Sequence, residues 1–378
     1  MDAREYTRRC YAHLEADDPV FPRLATVNPA RWELGHVGWF QEYWCLRHGT
    51  AKSPGDPARC PRPSRLRGAD ALFDSSNVPH DTRWSLDLPD WHGIGRYLDE
   101  TLEATLASLD RCGDEARYFH ELALVHEHMH GEALLMTLQS LALPSPRGWT
   151  QAAADPSAAA GDLDVPGGTY EIGSDRSHAG ERFVFDNERD AHEVVLAPFS
   201  IARRCVTEGE FAAFADDGGY ARAALWSDAG RRWLAANGRS MPAYWRGDIR
   251  GYEVRQFDRW RALAPGAALQ HVNLYEAEAF CTWAHRRLPR EAEWEVAARR
   301  ELPFGRDVWE WTETAFAPYP GFAPDPYADY SQPWFGDHHV IRGGSWATNA
   351  RLLDPAMRNF YRPERHDMFV GVRTCALD

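Results

Sequence analysis

His126 and His130 stand four residues apart in the stretch Leu124-Val125-His126-Glu127-His128-Met129-His130. On an α-helix, positions i and i+4 share a face with Cβ atoms about 5–6 Å apart, so two imidazoles there can hold one metal ion. Leu122, Val125, Met129, Ala133, Leu134 and Thr137 continue the same stripe, which turns both histidines toward an apolar interior. Imidazoles in such surroundings need partners. His36, in Asn28-Pro29-Ala30-Arg31-Trp32-Glu33-Leu34-Gly35-His36, offers a third nitrogen from another helix-like segment. Three neutral imidazoles suit iron or zinc. His128 and Glu127 fall off the stripe, and His128 reads as a surface or supporting residue. The string His126-Glu127-x-x-His130 also fits the zinc-peptidase pattern. A metzincin, however, needs glycine at position 133 and histidine at 136, where this chain has Ala133 and Met136. A thermolysin-like enzyme needs a glutamate on a following helix, and residues 144–164 offer no helical pattern.

Helices must position these ligands. Asp2 to Glu15 is polar with apolar returns. Asn28-Pro29 predicts a helix start, with Asn as N-cap and Pro at the first helical position. Trp32, Gly35/His36, Trp39/Phe40 and Tyr43 then recur every three or four residues. Residues 50–68 read as a loop, Trp91 to Leu109 as a third helix and Asp114 to Leu141 as a fourth. Four such helices can close into a bundle, where metal sites are built from facing side chains. Residues 144–164 mix Pro, Ala, Ser and Asp without periodicity and read as an interdomain linker. Beyond them only Leu274–Ala284 and Pro289–Arg300 read as helical, among short segments punctuated by Gly, Pro and Trp. The expected architecture is α+β in two domains: 1–148 helical, 149–163 linker and 164–378 mixed.

A chain of 378 residues favours two domains. A formal charge of −14 argues against a nucleic-acid or anionic-membrane partner. The seven cysteines are scattered, odd in number and form no CxxC pair, as expected in a reducing compartment. Met1 is followed by polar residues rather than an apolar leader, and no stretch approaches the ~20 apolar residues of a membrane span. A cytoplasmic protein is expected.

Both halves resemble the ergothioneine-type sulfoxide synthases, in which a DinB-like helical bundle joins a domain like the formylglycine-generating enzymes, a C-type-lectin-like fold. Trp32-Glu33-Leu34-Gly35-His36-Val37-Gly38-Trp39-Phe40 resembles the family's first ligand motif, and His126 to Leu135 its second. Val165 to Gly173, Arg287 to Glu295, Val308-Trp309-Glu310-Trp311, Arg342-Gly343-Gly344-Ser345-Trp346 and Gly371-Val372-Arg373 follow the lectin-like domain in order. Their residues are mostly structural, glycines for tight backbone and tryptophans for core. The resemblance implies one Fe(2+) held by His36, His126 and His130, with hercynine and O₂ as substrates. Hercynine carries a quaternary ammonium, which aromatic faces recognise. Arg358-Asn359-Phe360-Tyr361-Arg362-Pro363 is similar to the family's betaine-binding motif, which assigns that role to Asn359 and Phe360, with Tyr361 as a further ring.

Departures from the family concern the chalcogen donor. Where the family has a Leu-Phe-Asn-Ser-Tyr-Tyr stretch, this chain reads Leu72-Phe73-Asp74-Ser75-Ser76-Asn77, followed by His80, Asp81, Thr82 and Arg83. Ser75, Ser76, His80 and Arg83 are the expected donor contacts. Such groups suit a hydroxyl-rich donor, because a site built for particular hydrogen bonds rejects analogues lacking them. This looks like the selenoneine synthase branch, whose donor is a selenosugar; a thiol donor, cysteine or glutamylcysteine, is the alternative. Met129 stands where the family often has glutamine. The family's acid tyrosine would fall near Phe322, leaving Tyr319, Tyr327 and Tyr330 as stand-in proton donors. A lectin-like binding protein with a structural zinc is the reading of another class, and it predicts no O₂ consumption. Formylglycine generation needs a copper-binding cysteine pair near residues 342–373, where only Cys375 follows.

Overall fold

The computed structural model describes residues 2–48, 62–109, 113–146, 160–175, 182–305 and 307–377. They form two compact units. The first comprises the described residues up to Thr137 together with Pro324–Tyr330; the second comprises Leu138–Ser145, the described residues from 160 to 323, and those from Ser331 onward.

The first unit is helical: α1 (Asp2–Asp17), α2 (Ala30–Glu42) running into a π-helical turn (Tyr43–Arg47), α3 (Ala69–Phe73), a 3-10 turn (His80–Ser85), α4 (Trp91–Leu109) and α5 (Asp114–Ser140). Helix α4 buries Ile94, Tyr97, Leu98, Thr101 and Thr105, a single stripe at helical spacing. Helix α2 has no solvent face over most of its length, with every residue from Trp32 to Glu42 buried. One guanidinium ties four helices together. Arg4 of α1, only 3% exposed, donates to Glu127 of α5 at 2.8 Å, to the Leu98 carbonyl of α4 at 2.6 Å and to Gln41 of α2 at 2.7 Å. Among the described residues no helix is long and apolar enough to cross a membrane.

Three details of the helical unit differ from expectation. Helix α2 begins at Ala30 with Pro29 in the cap position and no side-chain cap. Asn28 instead donates its amide to Glu33 Oε2 at 2.7 Å, a stronger, charge-assisted partner. His128 is 2% exposed, so it is not a surface residue; its ring meets Tyr6 edge-on with centroids 6.2 Å apart. Of the expected 50–68 loop, residues 50–61 lie outside the described residues, and 62–68 form neither helix nor strand.

Glycines let the chain approach these helices closely. A Cβ on Gly35 would sit 2.2 Å from Cε1 of Phe73, and one on Gly131 2.3 Å from Cε1 of Tyr6. Gly35→Ala is expected to displace the buried Phe73 ring and lower unfolding free energy by about 1–3 kcal/mol. The urea midpoint measures this; an unchanged midpoint would mean that Phe73 yields without cost.

The second unit opens with β1 (Asp162–Val165), β2 (Gly168–Ile172), β3 (His192–Leu196), β4 (Phe199–Ala202), α6 (Glu208–Asp216) and α7 (Asp228–Asn237). Next come β5 (Trp245–Asp248), β6 (Gly251–Gln256), β7 (Arg259–Ala262), α8 (Leu274–Trp283), β8 (Arg286–Arg287) and α9 (Glu291–Ala298). It closes with β9 (Trp309–Ala315), β10 (His339–Arg342), β11 (Asn359–Tyr361), β12 (Val370–Gly371) and β13 (Cys375–Ala376). Two four-stranded sheets, ordered β1-β4-β13-β8 and β11-β10-β9-β12, stand beside the hairpin β2-β3 and the meander β5-β6-β7. Strand β12 runs parallel to β9; the other ladders are antiparallel. Strand β1 starts inside the segment expected to be linker, most of which lies outside the described residues.

The C-terminal motifs meet in two buried ion networks. Glu291 accepts from Arg358 at 2.6 Å, Arg342 pairs with Glu295, and Glu310 accepts from Arg373 at 2.6 Å and from the Trp294 indole at 2.5 Å. Their roles are therefore structural, since buried charges persist only when paired and hydrogen-bonded. Helices α6 and α7, absent from the sequence reading, both open on side-chain caps: Thr207 with Glu210 in a capping box, and Ser227 accepting from the Gly230 amide. Cys10, Cys45, Cys205, Cys281 and Cys375 are free thiols.

Candidate metal centre

His36 on α2 and His126 and His130 on α5 converge, with one nitrogen of each within 4.8 Å of the others. The Nε2 atoms of His126 and His130 are 3.0 Å apart, and the His36 ring centroid lies 5.1 and 5.0 Å from those two rings. The outward nitrogens are handled in three different ways. His36 Nδ1 lies 2.8 Å from the Phe73 carbonyl and His130 Nδ1 lies 2.5 Å from Glu33 Oε1. Both partners only accept, so each Nδ1 carries a proton and each Nε2 is the nitrogen left to face a metal. His126 Nδ1 is buried with no hydrogen-bond partner among the described residues, and its ring lies flat on Phe40 at 3.5 Å between centroids.

Burial acts most strongly on two of the three rings. Burial pushes His36 down to about 3, with the like charge of His130 adding to it, against the Phe73 carbonyl and Glu33. Burial, then His130 and His36, hold His126 well below the ordinary range. Glu33 behaves oppositely. Burial raises it, but His130, His36 and the Asn28 amide together outweigh burial and hold it at about 2. The result is one buried carboxylate behind His130 and two imidazoles, His36 and His126, whose charged forms burial disfavours. A cation suits this set: two imidazole nitrogens about 2.1 Å from a shared ion at right angles stand about 3 Å apart. His36, His126 and His130 are therefore the residues that could hold a metal.

Aromatic rings surround the trio. Trp32 stacks on His36 with centroids 5.1 Å apart, and Phe40 packs between His126 and Tyr327, whose ring is 5.1 Å away edge-on. On the far side of Phe40 lies a cavity lined by Trp39, Tyr43, Trp44, Asp74, Ser75, Ser76, Tyr327 and Asp329. Ser76 donates to Asp329 at 2.6 Å. Burial, Asp329 and Asp74 raise the Tyr327 phenol.

The expected donor contacts separate. Ser75 and Ser76 line the cavity. His80 places Nε2 2.8 Å from the Val27 carbonyl, and Arg83 donates to Asn28 Oδ1 at 2.8 Å and to the carbonyls of Ser75 and Val78. The Arg83 guanidinium lies 3.8 Å from the centroid of Trp32, behind His36 rather than along the cavity. Of the three tyrosines, Tyr327 and Tyr330 belong to the helical unit, and Tyr319 is buried in the second unit with its hydroxyl on Glu291. Asn359, Phe360 and Tyr361 form β11 of the second unit. Asn359 Oδ1 accepts from the Phe360 amide, Phe360 stacks on Phe316 at 3.9 Å, and Tyr361 lies under Arg365. Glu33, Phe40, Asp74 and Asp329 are not among the site residues expected from the sequence. Glu33 had a visible signal, being a carboxylate one helical turn before His36.

A sulfatase-modifying factor enzyme 1-like domain matches residues 150–306 and 303–377. The chain is 34% identical to the hercynine oxygenase of Mycolicibacterium thermoresistibile, over 99% of this chain and 92% of that protein. It is 33% identical to the hercynine oxygenase of Mycolicibacterium smegmatis, over 98% of this chain and 96% of that protein. Similarity to the formylglycine-generating enzyme of Streptomyces coelicolor is 29% identity over 63% of this chain and 96% of that protein. A helical unit with three converging histidines, joined to this domain, defines an enzyme of the oxygenase type. The chain belongs to the hercynine oxygenase family.

Proposed function

We propose that this enzyme binds Fe(2+) through His36, His126 and His130 and uses O₂ to form a carbon–chalcogen bond at the imidazole ring of hercynine. The observation that carries the reading is the convergence of three imidazoles, within 4.8 Å, in a chain of this family. Iron, when bound, supplies the activation of O₂. The protein's own groups do the rest. Phe73 and Glu33 fix two imidazole tautomers, and the rings of Trp32 and Phe40 keep water from the ligands. Asn359, Phe360 and Tyr361 receive the trimethylammonium group, and Tyr327, protonated and one ring from His126, is the proton donor.

Similarity to hercynine oxygenases supports a thiol donor, cysteine or glutamylcysteine, with a sulfoxide product. One observation favours a selenosugar as a second reading. The cavity beside Phe40 presents Asp74, Asp329, two serine hydroxyls and aromatic faces, and no Lys or Arg among its described lining residues. Such a wall accepts hydrogen bonds from a neutral polyol and repels carboxylates. Mass spectrometry of products from hercynine, O₂ and iron(II), with cysteine, glutamylcysteine and a selenosugar in competition, separates the readings. A dominant sulfoxide establishes the thiol reading, a carbon–selenium product the second, and absence of hercynine turnover with every donor defeats both.

A further inference from the structure

The three ligands are not equivalent in what stands behind them: a carboxylate behind His130, a neutral carbonyl behind His36 and, among the described residues, no acceptor behind His126. Resting on the metal reading above, we infer that Glu33 is a positioning residue that sets metal affinity, making His130 the strongest of three graded donors. An anionic acceptor on Nδ1–H moves electron density to Nε2, more than a neutral carbonyl does. Glu33 is 8% exposed, so water competes little for that contact. Nor is the carboxylate free to swing. Its second oxygen accepts from Asn28 at 2.7 Å, Asn28 accepts from Arg83 at 2.8 Å, Arg83 covers the Trp32 ring at 3.8 Å, and Trp32 stacks on His36. The chain of contacts that starts at one ligand therefore ends at another. Arg83 thereby holds the ligand set through Asn28 and Trp32.

Anaerobic titration of the full-length protein with iron(II), and with zinc(II) as a redox-silent probe, tests this without any substrate. Glu33→Gln keeps a hydrogen-bond acceptor and removes the charge; Glu33→Ala removes both. Affinity for both metals should fall by about 10–100-fold in Glu33→Ala and by a smaller factor in Glu33→Gln. Asn28→Ala should weaken binding less than Glu33→Ala. Melting of the metal-free variants separates a packing defect from a ligand effect: the near-isosteric Glu33→Gln should melt like the parent and still bind more weakly. Parental affinity in both Glu33 variants overturns the inference and leaves the metal reading standing. A parent protein that binds neither metal overturns the metal reading instead.

Discussion

Alanine at His130 should leave the purified enzyme without stoichiometric iron(II) and nearly without turnover. His126 and His130 present Nε2 atoms 3.0 Å apart from one helix, so removing His130 breaks the chelating pair and leaves two imidazoles on different helices. It also strips Glu33 of the partner 2.5 Å away, leaving a buried carboxylate with the Asn28 amide alone. Both effects act in the same direction. A metal that lowers a barrier by several kcal/mol, at about 1.4 kcal/mol per factor of ten, implies a loss of at least roughly a thousandfold in rate. Iron content after anaerobic desalting and O₂ uptake in the presence of hercynine measure the two consequences. One iron per chain in His130→Ala would remove that residue from the ligand set.

Arg4→Met should cost about 3–5 kcal/mol of stability, the range for removing one partner of a buried ion pair. Arg4 touches no candidate ligand, yet it neutralises Glu127 at the core of the helical unit and caps the Leu98 carbonyl and Gln41. Without it Glu127 stays buried and uncompensated on the helix that carries two of the three histidines. The double variant Arg4→Met/Glu127→Leu should recover most of the loss, because replacing both charges with apolar groups of similar volume is often neutral or stabilising. Denaturant unfolding of parent, single and double variants measures it. A single variant within 1 kcal/mol of the parent would show that water reaches Glu127.

What could be read from the sequence follows from the range of the interactions involved. Trp91–Leu109 and most of Asp114–Ser140 were legible because periodicity is a local signal. The His126–His130 pair was legible because i, i+4 spacing states its own geometry, whereas His36 stands 90 residues upstream on another helix. Helices α6 and α7 are short, yet their caps were in plain view, as Thr207-x-x-Glu210 before the first and Ser227 before the second. Glu33 behind His130, Arg4 against Glu127 and Tyr327 against Phe40 join residues far apart in the chain. No local pattern encodes those meetings. Of the two places expected for His128, surface or supporting, the surface is excluded, because a helix packed on several sides buries residues off its apolar stripe as well.

Because Pro324–Tyr330 packs into the helical unit, that unit is discontinuous in the order of its synthesis. A ribosome adding about 5–20 residues per second reaches Pro324 roughly ten to forty seconds after Thr137. During that interval Phe40 lacks the Tyr327 ring and Ser76 lacks Asp329, so one wall of the cavity beside Phe40 is still unmade. The nascent ligand set is complete long before its enclosure, which makes the late arrival of seven residues the step that turns an open chelate into a shielded site.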